Sequence, residues 1–175
     1  MSTITLIRHG QANSAARDET SYDQLSELGH QQARWLGAYF RTVEEPVTRV
    51  YCGTLRRHRE TVAGMALAPA AREDARLNEL SYFGMAEIAA RVHGLKHPEG
   101  REEFAAHMPK LFKLWQEGAL PDAPEPFDGF SARVAEAIAE IAAGTGPAVV
   151  VTSGGLIGMV MRQVMGLSIE AMSHA

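Results

Sequence analysis

Five residues near the end of the chain, Ala148-Val149-Val150-Val151-Thr152, leave little choice of fold. The run is β-branched and lacks polar alternation, so a strand made from it must be covered on both faces, as in the middle of a parallel sheet. A second run of strand length, Thr3-Ile4-Thr5-Leu6-Ile7, opens the chain and ends abruptly in Arg8-His9-Gly10. Arg49-Val50-Tyr51-Cys52 is a third. Helical patterns separate them. Ser26 is a plausible N-cap for a helix to about Phe40. Gly53 and Thr54 introduce another, from Leu55 to about Ala66, and Phe130, Val134, Ala137, Ile138 and Ile141 recur at helical spacing through Ala143. Leu156 to Met165, apolar nearly all round, reads as a buried helix. Strands alternating with helices predict a three-layer α/β/α sandwich around a mainly parallel sheet.

At 175 residues and 46% hydrophobic, the chain reads as one domain, 1–175, with a helical insertion at about 80–127 broken at Pro98-Glu99-Gly100. The connection from Pro69 to Glu79 is expected to be extended near Arg76-Leu77. A net charge of -4 gives no reason to expect nucleic acid or an anionic membrane as partner. The single cysteine, Cys52, excludes an internal disulfide and a cysteine-based zinc cluster, and at a strand end it is expected to pack. The pattern calls for no metal or cofactor. No apolar segment approaches the roughly 20 residues of a membrane helix, and no secretory signal is evident. A cytoplasmic location is expected.

The strand ends carry the chemistry. In open α/β sheets ligands collect beyond the carboxyl ends of strands, where Arg8 and His9 would sit. Gly10 would let the backbone turn sharply and approach a ligand. The helix after the second run bears Arg56, Arg57, His58 and Arg59, and the last run ends in Ser153-Gly154-Gly155, a helix N-terminus. Guanidinium forks and free helix N–H groups match phosphate oxygens, and a neutral imidazole at their centre can attack phosphorus.

In this order the motifs resemble those of the histidine phosphatase superfamily, also called phosphoglycerate mutase-like. Leu6-Ile7-Arg8-His9-Gly10 is similar to its Arg-His-Gly signature. Tyr22-Asp23-Gln24-Leu25-Ser26-Glu27-Leu28-Gly29 with Gln32-Ala33 resembles its D-x-L-S-x-x-G-x-x-Q-A segment. Thr54 to Thr61 resembles S-x-L-x-R-A-x-Q-T, and Leu77-Asn78-Glu79 resembles L-x-E. The resemblance runs from residue 3 to about residue 170. It implies a phosphatase that hydrolyses a phosphomonoester, small molecule or phosphoprotein, through a phosphohistidine on His9. Arg8 and Arg57 would clamp the phosphoryl oxygens, with Arg56 a rival for the second place, and Gly154 would add its helix N-terminus. Glu79 would protonate the leaving oxygen and then activate water. That role needs a raised pKa, which burial beside Leu80, Tyr82 and Phe83 would supply. Mutase activity fits less well, since this short chain has little insertion to hold a bisphosphorylated intermediate.

Two features depart from the family. Ser153 stands where a second histidine donates to the phosphoryl oxygens. Serine keeps a donor but loses reach and any cationic charge, and losing such a donor costs on the order of 10²–10³ in rate. The alternative reading is therefore a catalytically weakened phosphate-binding domain. A histidine returned to position 153 is expected to meet no bulk and to restore the donor. His58, on the arginine-bearing helix, is the one sequence-level candidate for a histidine supplied from elsewhere, although it is expected at the surface. The second departure is the end, Met172-Ser173-His174-Ala175, where family members carry a further strand. A sheet one strand short exposes an edge and favours association into a homodimer. Specificity is expected in the insertion, with Tyr82, Phe83, Arg91, His93, Lys96 and His97 at the mouth.

Overall fold

The computed structural model describes residues 3–173 apart from 14, 17 and 45, so Ser14 and Arg17 of the polar loop and the terminal His174 and Ala175 lie outside the described residues. Four strands form one sheet: β1 (Ile4–Arg8), β2 (Arg49–Cys52), β3 (Ala71–Glu73) and β4 (Ala148–Thr152). Their order is β1-β4-β2-β3, and each neighbouring pair is parallel. The valine run takes the inner place its composition demands, with all five residues buried. The helices are α1 (Glu19–Tyr22), α2 (Glu27–Phe40), α3 (Arg56–Met65), α4 (Tyr82–His93), α5 (Arg101–Gln116), α6 (Phe127–Ala143), α7 (Gly154–Met165) and α8 (Ile169–Met172).

Alternate side chains of a strand point to opposite faces, and the core divides accordingly. Val149 and Val151 pack with Ala33, Cys52 and Met65 under α2 and α3. Ala148 and Val150 join the larger cluster, with Met85, Phe112, Trp115, Phe130, Val134 and Leu156 from α4 to α7. The result is a three-layer α/β/α sandwich on a parallel sheet. Cys52 is buried within it, and burial pushes its thiol pKa up to about 11, as suits a packing residue. Among the described residues no helix is long and apolar enough to cross a membrane.

Several local expectations are corrected. The extended stretch after α3 is Ala71–Glu73, paired with β2, whereas Arg76 and Leu77 lie in a 3-10 turn whose N-cap, Asp74, accepts the Arg76 N–H. Three residues on a sheet edge are too few to show a period. The loop before α2 contains α1, capped by Asp18. Helix α6 begins at Phe127, directly after Pro126. The last turn of α7 leaves Val164 and Met165 exposed, because a helix on the outside of a sheet has one face to bury. Ser26 does cap α2, accepting the Gly29 N–H at 3.1 Å.

Candidate active site

The end of β1 sets the first functional group. The His9 N–H continues the β1–β4 pairing by donating to the Thr152 carbonyl at 2.9 Å. The His9 side chain is 7% exposed, and its Nδ1 lies 2.7 Å from the Gly10 carbonyl. A carbonyl only accepts, so Nδ1 carries the hydrogen and Nε2 the lone pair. Burial pushes the His9 pKa down to about 4; the Gly10 carbonyl opposes this, and the Arg57 and Arg8 cations reinforce it. Gly10 serves a different purpose from the one its sequence suggests. A Cβ there would stand 2.5 Å from the Gly29 carbonyl oxygen, so glycine is needed where β1 leaves the sheet under α2. The Gly10 N–H donates to Thr61 Oγ1 at 3.0 Å, and that hydroxyl donates to the Arg57 carbonyl at 2.7 Å.

Helix α3 begins at a residue, Leu55, whose side chain cannot cap it. Asp23 does so from the loop after α1, accepting the Arg56 and Arg57 N–H groups at 3.0 and 3.1 Å. The same carboxylate receives Arg57 Nη1 at 3.0 Å. The Arg57 guanidinium is thereby held over the Tyr22 ring, 5.0 Å from its centroid, in a residue 1% exposed. Its Nε is buried without a partner. Burial works to raise the Asp23 pKa, but the two N–H groups and the Arg57 cation outweigh it and hold the carboxyl below its usual range. Arg56 turns outward to Glu60 at 2.6 Å, which leaves Arg57 as the arginine in the pocket.

Glu79 arrives on a loop fixed from three sides. Thr152 Oγ1 donates to the Leu77 carbonyl at 2.6 Å, and Asn78 exchanges two hydrogen bonds with Thr54. From α6, Arg133 Nη1 donates to the Arg76 and Asn78 carbonyls at 2.7 and 2.9 Å. The Glu79 carboxylate accepts the Gly155 N–H at 3.0 Å and the Leu80 N–H at 3.0 Å. Burial nevertheless raises its pKa against those two donors and the Arg57 and Arg8 cations. A Cβ on Gly155 would fall 2.4 Å from Glu79 Oε1, so the second glycine of the Gly-Gly pair makes room for the acid. Gly154 lies beside Arg8, where an added Cβ would stand an ordinary 3.7 Å from Nε.

Ser153 and His58 are a pair. His58 is not at the surface: both residues are 0% exposed, and His58 Nε2 lies 2.7 Å from Ser153 Oγ. The imidazole ring centre is 5.7 Å from that of His9. Burial, with the Arg57 cation and His9, pushes the His58 pKa down to about 3, so the ring is neutral. A histidine placed at 153 would therefore collide with one already there, contrary to the expectation of open space.

A pocket of about 280 Å³ is lined by Arg8, Arg57, Glu79, Gly154 and Gly155, whereas His9, His58 and Ser153 are not among its lining residues. Tyr82, Phe83, Phe104, Met108, Phe112 and Met172 form its apolar wall. Of the residues expected at the mouth, Tyr82 and Phe83 line it, whereas Arg91, His93, Lys96 and His97 do not. Only the first turn of α4 reaches the pocket, and residues 91–97 lie at and beyond its far end, where His93 Nε2 donates to the Ala119 carbonyl. Sequence reasoning gave Asp23 and Gly53 no role, took Gly155 only as part of a helix N-terminus, and named His58 as the candidate for a histidine from elsewhere while expecting it at the surface. Asp23 had a signal, since it opens the D-x-L-S segment.

The parallel sheet with helices on both faces is a phosphoglycerate mutase-like fold. The sequence model of the histidine phosphatase superfamily (branch 1) matches residues 4–175, and the chain belongs to that family. Among solved structures it is similar to YhfR from Bacillus stearothermophilus, at 21% identity and a TM-score of 0.70, over 98% of this chain and 84% of that one. A putative alpha-ribazole-5'-P phosphatase from Escherichia coli matches at 21% identity and a TM-score of 0.67, over 98% of this chain and 83% of the other. A mycobacterial glucosyl-3-phosphoglycerate phosphatase matches at 23% identity and a TM-score of 0.65, over 97% and 82%. No curated protein matches the sequence significantly.

Proposed function

We propose that this protein is a phosphatase that hydrolyses a small phosphomonoester through a phosphohistidine on His9. The observation that carries the reading is the His9 tautomer: Nδ1–H is committed to the Gly10 carbonyl, so the lone pair sits on Nε2, among the Arg8 and Arg57 cations. Nε2 attacks phosphorus, the P–N bond forms as the P–O ester bond breaks, and protonated Glu79 gives its proton to the leaving oxygen. In the second half, Glu79 takes a proton from water, the water oxygen attacks phosphorus, and the P–N bond breaks to release phosphate. A bound phosphoryl group raises the Glu79 pKa further by like-charge repulsion. The arginines do the electrostatic work on which phosphoryl transfer depends.

The wall supports a substrate class. Arg8 and Arg57 are the arginines of the described lining, which holds no lysine, and Glu19 stands on the same lining. A second phosphate or a carboxylate would find no countercharge, whereas an aromatic or aliphatic ester group would bury against Tyr82, Phe83 and Phe112. This favours an apolar monophosphate over a bisphosphorylated mutase intermediate.

Single-turnover trapping with a labelled aryl phosphate tests the reading. An acid-labile phosphoenzyme should form in the wild type and be absent from His9→Ala, with hydrolysis abolished and the fold retained. Wild-type turnover by His9→Ala would exclude a phosphohistidine. Phosphoglycerate hydrolysed as efficiently as the aryl ester would overturn the substrate class.

A further inference from the structure

We propose that Ser153 donates the phosphoryl hydrogen bond that the family draws from a second histidine, and that His58, reaching in from α3, positions it. The inference rests on the phosphohistidine reading above. The sequence shows a missing histidine at the end of β4; the structure shows an imidazole delivered to the same serine from another element. His58 Nε2 is 2.7 Å from Ser153 Oγ, and neither residue touches solvent. The strand before α3 is cut to fit: a Cβ on Gly53 would lie 2.2 Å from His58 Nδ1, so any other residue there would push the ring away. Ser153 also gives up the ordinary work of a serine at a helix start, because its side chain makes no cap bond to α7.

The proton arrangement follows from what His58 lacks. Its Nδ1 is buried without a partner. A hydrogen on Nδ1 would leave a buried N–H with no acceptor, the rarest kind of orphan. With the hydrogen on Nε2, the imidazole donates to Ser153 Oγ, and the serine hydrogen is left free for an oxygen of a phosphoryl group on His9, whose ring centre lies 5.7 Å from that of His58. An O–H whose oxygen already accepts a hydrogen bond is a stronger donor than an isolated one. The pair supplies a neutral donor, and the positive charge is left to Arg8 and Arg57.

The test is a cycle of variants in the full chain, assayed with an aryl phosphate and checked for folding by thermal melts. Ser153→Ala should lower kcat about 10²-fold with little change in KM, as loss of a transition-state donor does. His58→Ala should lower kcat roughly 10-fold or more, and His58→Gln, with an amide N–H on a comparable reach, should recover part of it. Ser153→His alone should be worse than the parent, because its ring meets His58. Combined with His58→Ala, it should regain most of the lost rate. Where truncation unfolds the chain, Ser153→Cys, a near-isostere with a weak donor, carries the same expectation. A folded Ser153→Ala or Ser153→Cys variant with wild-type kcat, or a double variant no faster than its parents, would overturn the proposal. His9→Ala separates the two levels. If it is inactive while the cycle is flat, the Ser153–His58 assignment alone fails; if it is active, the phosphohistidine reading fails beneath it.

Discussion

Two helices start at this site, and each is capped by a carboxylate from elsewhere in the chain. At α3 the cap is Asp23, on the N–H groups of Arg56 and Arg57; at α7 it is Glu79, on the N–H of Gly155. A helix N-terminus favours an anion, so both carboxyls should be held ionised. They part company. Burial acts first on both and pushes both pKa values up, and each carboxyl accepts two N–H groups; at Asp23 these and a direct guanidinium contact overturn it, and at the more deeply buried Glu79 the two N–H groups do not. The same local motif thus yields a permanent anion that anchors an arginine and a carboxyl able to hold a proton. What separates them is the depth of burial and the Arg57 guanidinium, 3.0 Å from Asp23 and acting on Glu79 only through space.

Three substitutions sharpen or break this contrast. Glu79→Gln should have the largest effect, since the amide carbonyl can still cap α7 while the transferable proton is gone. Phosphoenzyme formation from a poor-leaving-group ester should slow about 10²–10⁴-fold, and less with an aryl ester, whose leaving oxygen needs little protonation. The wild-type rate of this step should fall as pH rises through the raised Glu79 pKa, and the variant should lack that limb. If the limb persists in Glu79→Gln and disappears in Asp23→Asn, the two carboxyls have been assigned the wrong way round. Gly155→Ala should come next. Its Cβ, 2.4 Å from Glu79 Oε1, must displace the acid, and a misplacement of about 1 Å costs on the order of 10². A rate within twofold of wild type would show that the carboxyl has room to act from elsewhere.

Asp23→Asn should be the mildest. The two α3 N–H groups bond different oxygens of Asp23, so the amide keeps a neutral acceptor for one and turns a donor toward the other, a loss of about 1–3 kcal/mol. Because the folded pKa of Asp23 is depressed, its stabilisation is present above its ordinary value of 3.8 and lost as pH falls through the folded value. Urea midpoints at neutral pH should fall in the variant, and the difference should vanish in acid. KM for a phosphate ester should rise by up to about 10-fold as Arg57 loses its anchor. An unchanged KM would mean that Tyr22 and the helix alone orient the guanidinium.

Much of this arrangement was legible in residues 3–10 and 148–155, because β-branched runs and the polar groups that end them are local signals. The sandwich, the parallel sheet and the placing of Arg8 and His9 at its carboxyl edge follow from them, whereas Glu79 was indicated only by the resemblance of Leu77-Asn78-Glu79 to the family's L-x-E. What stayed hidden depends on distant chain. The resemblance singles out Arg57 from Arg56 and Arg59, but nothing in Arg56-Arg57-His58-Arg59 says that His58 turns inward with it; in the structure Arg57 and His58 are buried and Arg56 and Arg59 exposed. Gly10 and Gly53 look like turn residues, and both are clearances for a neighbour. Strand β3 was missed because three residues cannot display a period.

The order of the sheet also has a consequence for how the molecule is made. Among the described residues β1 pairs with β4 alone, so the first strand must wait for a partner about 140 residues away. A chain emerging from the ribosome can assemble β2, α3 and β3 early, yet His9 has no sheet to stand on until the last strand slides between β1 and β2. Such long-range closure is slow and leaves apolar edges open meanwhile. Pulse-labelled hydrogen exchange during refolding should find the amides of β1 protected in step with those of β4 and later than those of α3. The site is then a checkpoint as well: a chain that has not finished folding does not hold His9 in place.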